Sequence, residues 1–386
     1  MKKYMSYAII TIICSFVFLA IWHFAPKSYD CGYAYNQYSL QAKAWLEGRL
    51  DLNRDYSWLE LAKFNGKIFV SFPPAPSIIL LWFVAVFGIT TIVPNLLVVI
   101  AGIVATCYAY ALSKQFNIPK MLGIILSLLL SIGSNYLCIG VSGGVWHMAQ
   151  AFGFCFSFMA IYYALTSNKK HTLYSLLLWG FSVGCRPFQI IWLPLLLIYI
   201  LRKYKNNSMK EKIKSIFIAS IPMLILAGFM AWLNYARFGN ILEFGHNHLP
   251  YYDDKEQFAF HYLKNNLIIL FSSLKLSAFS DTAFWITNTI YIVFLIFAIF
   301  NIKKIKETLL ILILALISIC LFALHNTVGE WGWGSRYVID TTPFIFLATL
   351  LLYNEKYRKS LTIISSLLLL AGFALNVYGT LLMYHA

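Results

Sequence analysis

The chain has 386 residues, 60% apolar and only 12% charged, a composition outside that of soluble domains. Several of its apolar runs reach the roughly 20 residues that cross a bilayer, which excludes a soluble globular protein and points to an all-α polytopic membrane protein. The formal net charge of +15, from 30 Lys and Arg against 15 Asp and Glu, does not call for nucleic acid. The bases collect in short segments between apolar runs, where they set orientation and meet anionic lipid.

In chain order, Lys2 and Lys3 precede an apolar core nearly as long as a span and without a small-residue cleavage site, so the start reads as a retained helix rather than a signal peptide. Expected spans cover residues 5–24, 94–113, 121–139, 147–165, 172–185, 187–201, 213–235, 283–300, 309–324, 337–353 and 361–383, about eleven in all. The run 77–92 is short for a span. Counting it as one would put later basic loops on the wrong side, so it reads as an interfacial or re-entrant helix on the outer face.

This topology gathers the bases of segments 2–3, 114–120, 169–170, 202–214, 303–306 and 356–359 on the cytoplasmic side, with only Glu211, Glu307 and Glu355 among them. The remaining acids fall outside, in extracytoplasmic loops 26–93, 237–282 and 325–340. No repeat or low-complexity linker divides the chain, so a single membrane domain over 1–386 is expected. Of seven cysteines only Cys31 lies in a loop, and the spacings suit neither a disulfide framework nor a zinc site.

The first loop holds Asp30, Glu47, Asp51, Asp55 and Glu60 beside Lys43, Arg49, Arg54, Lys63 and Lys67. Asp30 follows the first span closely, where an acid is costly unless hydrated, paired or employed. It either caps a following helix, expected over 33–47 and stopped by Gly48, or serves as a base beside a lipid substrate. Asp51 and Asp55 read as turn and cap residues. Asn65-Gly66 marks a hairpin turn, and Pro73, Pro74 and Pro76 launch the interfacial helix.

Further along, Gly143-Gly144 precedes Trp146-His147, where His147 is either a helix-start residue or a ligand. Arg186-Pro187 interrupts an apolar stretch, and an arginine there needs an anion, carbonyls or water. The loop with Glu243, His246 and His248 reads as a polar substrate rim. Two histidines two apart could share a metal on a strand, but no third ligand is evident, and no cofactor is expected. In Gly329–Tyr337, Trp331 and Trp333 offer plates for sugar rings and Arg336 a fork for phosphate; an interfacial aromatic belt is the alternative. The chain lacks a phosphate loop and a dinucleotide fingerprint, so ATP-driven pumping and soluble nucleotide-sugar chemistry have no support.

Taken together, Asp30, the stretch Ala44-Trp45-Leu46-Glu47-Gly48-Arg49-Leu50-Asp51, the segment from Asn65 to Pro76, Arg186-Pro187, Arg237-Phe238-Gly239 and Trp333-Gly334-Ser335-Arg336-Tyr337 resemble the GT-C membrane glycosyltransferases. Within that class the likeness is to the protein O-mannosyltransferase and aminoarabinose transferase group, glycosyltransferase family 39 and relatives. The resemblance implies a polyprenyl-phosphate sugar donor, a glycan or lipid acceptor on the extracytoplasmic face of the cell membrane, and Asp30 as the catalytic base. Arg237, Arg336 and Lys67 would meet the donor phosphate; Arg186, His147, Glu243, His246, Trp331 and Trp333 would line the substrate site. Two features depart from the group: Gly140 to His147 carries no acid, and Phe72-Pro73 stands where some relatives have a lysine before the interfacial helix. The rival reading is a transporter or flippase of a lipid-linked saccharide, which would use the same aromatics and arginines without chemistry.

Overall fold

The computed structural model describes residues 4–252, 255–276, 282–329 and 332–385. Its helices are α1 (Met5–Phe24), α2 (Lys27–Ala34), α3 (Gln37–Leu46), α4 (Ala75–Phe87), α5 (Val93–Gln115), α6 (Lys120–Ser131), α7 (Tyr136–Ile139), α8 (Val145–Leu165), α9 (His171–Cys185) and α10 (Leu193–Lys203). They continue with α11 (Met209–Phe238), α12 (Phe260–Ser272), α13 (Phe284–Thr287), α14 (Ile290–Phe300), α15 (Leu309–Leu324), α16 (Thr342–Leu351) and α17 (Arg358–His385). Among the described residues one hairpin, β1 (Leu61–Phe64) and β2 (Lys67–Val70), supplies the paired strands.

Six helices in the described residues are long and apolar enough to cross a membrane: Met5–Phe24, Val93–Gln115, Val145–Leu165, Met209–Phe238, Ile302–Leu324 and Glu355–His385. Their outward faces stay apolar, as with Ile12 and Phe16 on α1 or Phe217, Ile225 and Trp232 on α11, the pattern of helices whose solvent is lipid. The fold is all-α and multi-pass.

The other expected spans appear as shorter or interrupted helices. The run 121–139 breaks between α6 and α7, and 283–300 breaks between α13 and α14. The runs 187–201 and 337–353 each open with a turn of 3-10 helix, Pro187–Trp192 and Arg336–Thr341. The run 77–92 is helical from Ala75 to Phe87, 13 residues closed by Gly88 at φ 74°, only about 20 Å of helix.

The chain folds as two compact units. The first comprises Met1–Tyr29, Val99–Val141 and Phe258–Ala386. Its two helix breaks face each other: Ser134 pairs with Asn288, and Thr289 Oγ1 donates to the Gly133 carbonyl at 3.2 Å. On α17, Asn376 Nδ2 donates to the Thr287 carbonyl at 3.0 Å. Irregular backbone survives at membrane depth where neighbouring donors satisfy its carbonyls. Helix α12 was not expected from hydropathy, because Lys264-Asn265-Asn266 interrupts its apolar run. Asn266 is nonetheless what docks it, donating to the carbonyls of Ala323 (3.1 Å) and His325 (2.7 Å).

The second unit comprises Asp30–Val98 and Ser142–Gln257. The helix expected over 33–47 is two helices, α2 and α3, separated at Tyr35-Asn36. Asn36 sits at the N-cap position of α3 and sends its amide to the Ile89 carbonyl at 2.8 Å. The stop at Gly48 is as expected: Gly48 has φ 74°, and Arg49 N–H reaches back to the Ala44 carbonyl at 2.9 Å. Asn65 and Gly66 both have positive φ, 48° and 71°, as a two-residue hairpin turn requires.

Candidate functional site

Asp30 lies in the first turn of α2 and is exposed. It is inside the helix rather than capping it, and among the described residues it makes no ion pair or side-chain hydrogen bond. The backbone that carries it is fixed. A methyl group on Gly32 would lie 1.9 Å from Asn95 Oδ1, so the helix rests directly on that buried amide. Asn95 Oδ1 in turn accepts from Gly143 N–H at 2.6 Å, and a side chain at Gly143 would meet the Pro94 and Asn95 backbone at 2.7 Å. Such close backbone approach is why glycine stands at both positions.

The C-terminal carbonyls of α2, which a helix leaves without internal partners, are taken by distant donors. Trp58 Nε1 donates to Ala34 O at 3.0 Å, and Val145 N–H donates to Tyr35 O at 3.0 Å. Trp146 places its ring 4.9 Å from that of Tyr35 and donates from Nε1 to Glu60 Oε2 at 3.0 Å.

Glu60 leads to the hairpin. Its carbonyl accepts from Ser71 Oγ at 2.9 Å, and the Ser71 carbonyl lies 2.6 Å from His246 Nδ1. A carbonyl only accepts, so that nitrogen carries the proton. Glu243 is held over the same turn, accepting from Gly245 N–H at 2.5 Å and Asn247 Nδ2 at 2.6 Å. Burial pushes the His246 imidazole below its ordinary value; Ser71, Glu60 and Glu243 pull it back up, and Arg186 pushes it further down. The buried Tyr38 phenol is raised well above its usual range by burial and by Cys185, and Arg186 opposes that rise. The Arg186 charge therefore acts on both Tyr38 and His246. Gly153 makes room for it: a methyl there would approach Arg186 Cγ to 3.0 Å.

The remaining expected site residues are placed differently. Arg237 is 3% exposed and donates to the carbonyls of Leu233 (3.2 Å) and Val70 (3.1 Å) and to Asn234 Oδ1 (2.8 Å). It ties the end of α11 to the hairpin, whose core is Ala62, Phe69 and Phe238, and keeps one N–H on each terminal nitrogen for another acceptor. Lys67 is exposed beside the hairpin turn. Lys63 pairs with Asp55 at 2.7 Å, and Arg49 pairs with Glu47 and donates to the Asp51 carbonyl. His147 is buried in the first turn of α8.

In the first unit, Arg336 is buried against Gly329 and Gly332, with its guanidinium 4.9 Å from the Tyr337 ring. Trp333 is 1% exposed, packed on α17 so tightly that a methyl on Gly379 would lie 2.0 Å from its ring. That indole is core, and its faces meet protein. Trp331 lies outside the described residues.

His246 and His248 sit on a 3-10 turn rather than a strand. Their rings pack on Phe72 and Phe238 at 5.1 and 5.4 Å, and no group of three or more potential ligands is arranged for a metal among the described residues. Sequence reasoning missed Tyr38, Trp58 and Asn95 and gave Glu60 and Trp146 no role. Trp58-Leu59-Glu60 carried a signal in principle, an indole and an acid two apart in an already polar loop.

No family model matches the chain, and no curated protein matches it in sequence. In three dimensions it is similar to ArnT from Cupriavidus metallidurans bound to undecaprenyl phosphate, with a TM-score of 0.54 at 9% identity over 97% of this chain and 76% of that one. The apo state of the same protein gives a TM-score of 0.54 at 10% identity over the same shares. The likeness is one of fold: nearly the whole chain follows the architecture of that protein.

Proposed function

We propose that this chain is a membrane glycosyltransferase that moves a sugar from a polyprenyl-phosphate carrier to an acceptor on the extracytoplasmic face. The observation that carries the reading is Asp30: an exposed carboxylate without an ion pair among the described residues, on a helix fixed by Asn95, Trp58 and Val145. A solvated loop acid needs no such fixing; a proton acceptor does. The bound undecaprenyl phosphate of ArnT, the similar fold, supports a polyprenyl donor.

In the reaction, an acceptor hydroxyl attacks the anomeric carbon and gives its proton to Asp30. The new C–O bond forms as the bond from that carbon to the phosphate oxygen breaks, and polyprenyl phosphate leaves with the electron pair. Its negative charge needs cationic donors. Arg336, the two remaining terminal N–H groups of Arg237 and Lys67 are assigned to it, and Arg186 to the substrate. His147, Glu243 and His246 are assigned to the sugar. One base without a nucleophile predicts inversion at the anomeric carbon.

The test is release of polyprenyl phosphate by purified protein in nanodiscs given a panel of polyprenyl-phosphate sugars. Wild type should release it, and Asp30→Asn should slow release about 10² to 10⁴-fold while still binding the carrier. Wild-type rates in Asp30→Asn would remove the base assignment. Carrier binding and translocation without any release in wild type would make the chain a flippase.

A further inference from the structure

Three aromatic side chains near the end of α2 are held in a way that membrane-interface residues do not need. Trp58 is 58% exposed, yet its indole N–H is committed to the Ala34 carbonyl. Its ring stands edge-on to Tyr56 at 5.6 Å, and the Arg54 guanidinium covers the Tyr56 ring at 4.4 Å. Trp146 is fixed at both ends, by the Tyr35 ring and by the Glu60 carboxylate. In an aromatic belt, indole N–H groups face the headgroups and the ring orients with the bilayer. Here both N–H bonds go to protein, so the rings are oriented by the fold. The one carboxylate among them, Glu60, would be repelled by an anionic lipid surface.

We propose that Trp58, Trp146, Tyr35 and Glu60 form a saccharide-binding subsite, the place where a glycan acceptor is held. The C–H face of a sugar ring packs on a fixed indole, while an ionised carboxylate, which only accepts hydrogen bonds, selects a ligand rich in hydroxyl donors. One glutamate oxygen already takes the Trp146 bond, and a carboxylate has capacity for more. The placement suits transfer, because the subsite is anchored on Ala34 and Tyr35, one helical turn from Asp30. The acceptor role rests on the glycosyl-transfer reading; the binding does not.

The test is saturation-transfer NMR with maltohexaose and N-acetylchitohexaose, on the full chain in phosphatidylcholine nanodiscs with empty nanodiscs as blank. Saturable transfer to sugar ring protons is expected in wild type. Affinity should fall roughly tenfold in Trp58→Ala, the loss of a main contact residue, and several-fold in Glu60→Gln. Trp58→Phe, which keeps a stacking ring but loses the bond to Ala34, should fall between, and a cooperative melting transition in each variant shows that it is folded. If neither saccharide saturates wild type above the blank, or if Trp58→Ala binds as wild type does, the subsite is refuted and Trp58 is an interfacial residue. Saccharide binding without carrier release would sink the transferase reading alone, and release without saccharide binding would sink the subsite alone.

Discussion

Adding one methyl group to Gly32 tests whether the fold, rather than the loop, positions Asp30. In Gly32→Ala the new Cβ would lie 1.9 Å from Asn95 Oδ1, 2.6 Å from Cγ and 2.8 Å from Nδ2. Ordinary van der Waals contact needs about 3.5 Å, so either the amide or α2 must move by about 1.5 Å. Moving the amide breaks its bond to Gly143 and leaves a buried group unsatisfied, about 1–3 kcal/mol. Overpacking costs a similar amount, against about 1 kcal/mol gained from alanine in a helix. The net expectation is a loss of about 1–5 kcal/mol. Moving α2 instead displaces Asp30, and a misplacement of about 1 Å is enough to cost about 10²-fold in rate. Melting curves and carrier-release rates in nanodiscs read both effects. The double variant Gly32→Ala/Asn95→Gly removes the clash and should recover part of the rate. A single variant that melts and turns over like wild type would refute the claim that this contact holds the Asp30 helix.

Arg336→Lys replaces a planar fork by a point charge, and loss of one charge-assisted bond of about 1.5–3 kcal/mol should slow donor use about tenfold to a hundredfold. Wild-type kinetics in a folded variant would remove Arg336 from the donor site. His246 is neutral in both folded and unfolded states above its ordinary value of about 6.5. Below it the unfolded chain takes the proton first, because burial holds the folded imidazole lower. Stability should therefore fall as pH drops from about 6.5 through that lowered value. Melting temperatures across that window should fall less in His246→Gln than in wild type, and equal slopes would rule the residue out as the cause. The distribution of bases predicts a cytoplasmic N-terminus and an extracytoplasmic C-terminus. A single thiol at Gln115→Cys in a cysteine-free background should resist impermeant reagents added outside intact cells, and labelling there would reverse the topology.

The sequence alone determined the all-α multi-pass class, the position of the six long apolar helices, the Asn65-Gly66 hairpin and the helix stop at Gly48. These follow from hydropathy over about 20 residues and from backbone freedom at single positions, both local properties. The tertiary structure decided what each polar group does. It broke 33–47 at Tyr35-Asn36, interrupted two apolar runs where Ser134 and Asn288 meet, and folded 260–272 into a helix docked by Asn266. It committed three of the five N–H groups of Arg237 to neighbouring protein acceptors, put Trp333 into the core and gathered Glu60, Glu243 and His246. A buried polar group is stable only with a partner, and those partners lie far away in the chain: Gly143 for Asn95, Glu60 for Trp146, Ser71 for His246. Only folding brings them within reach.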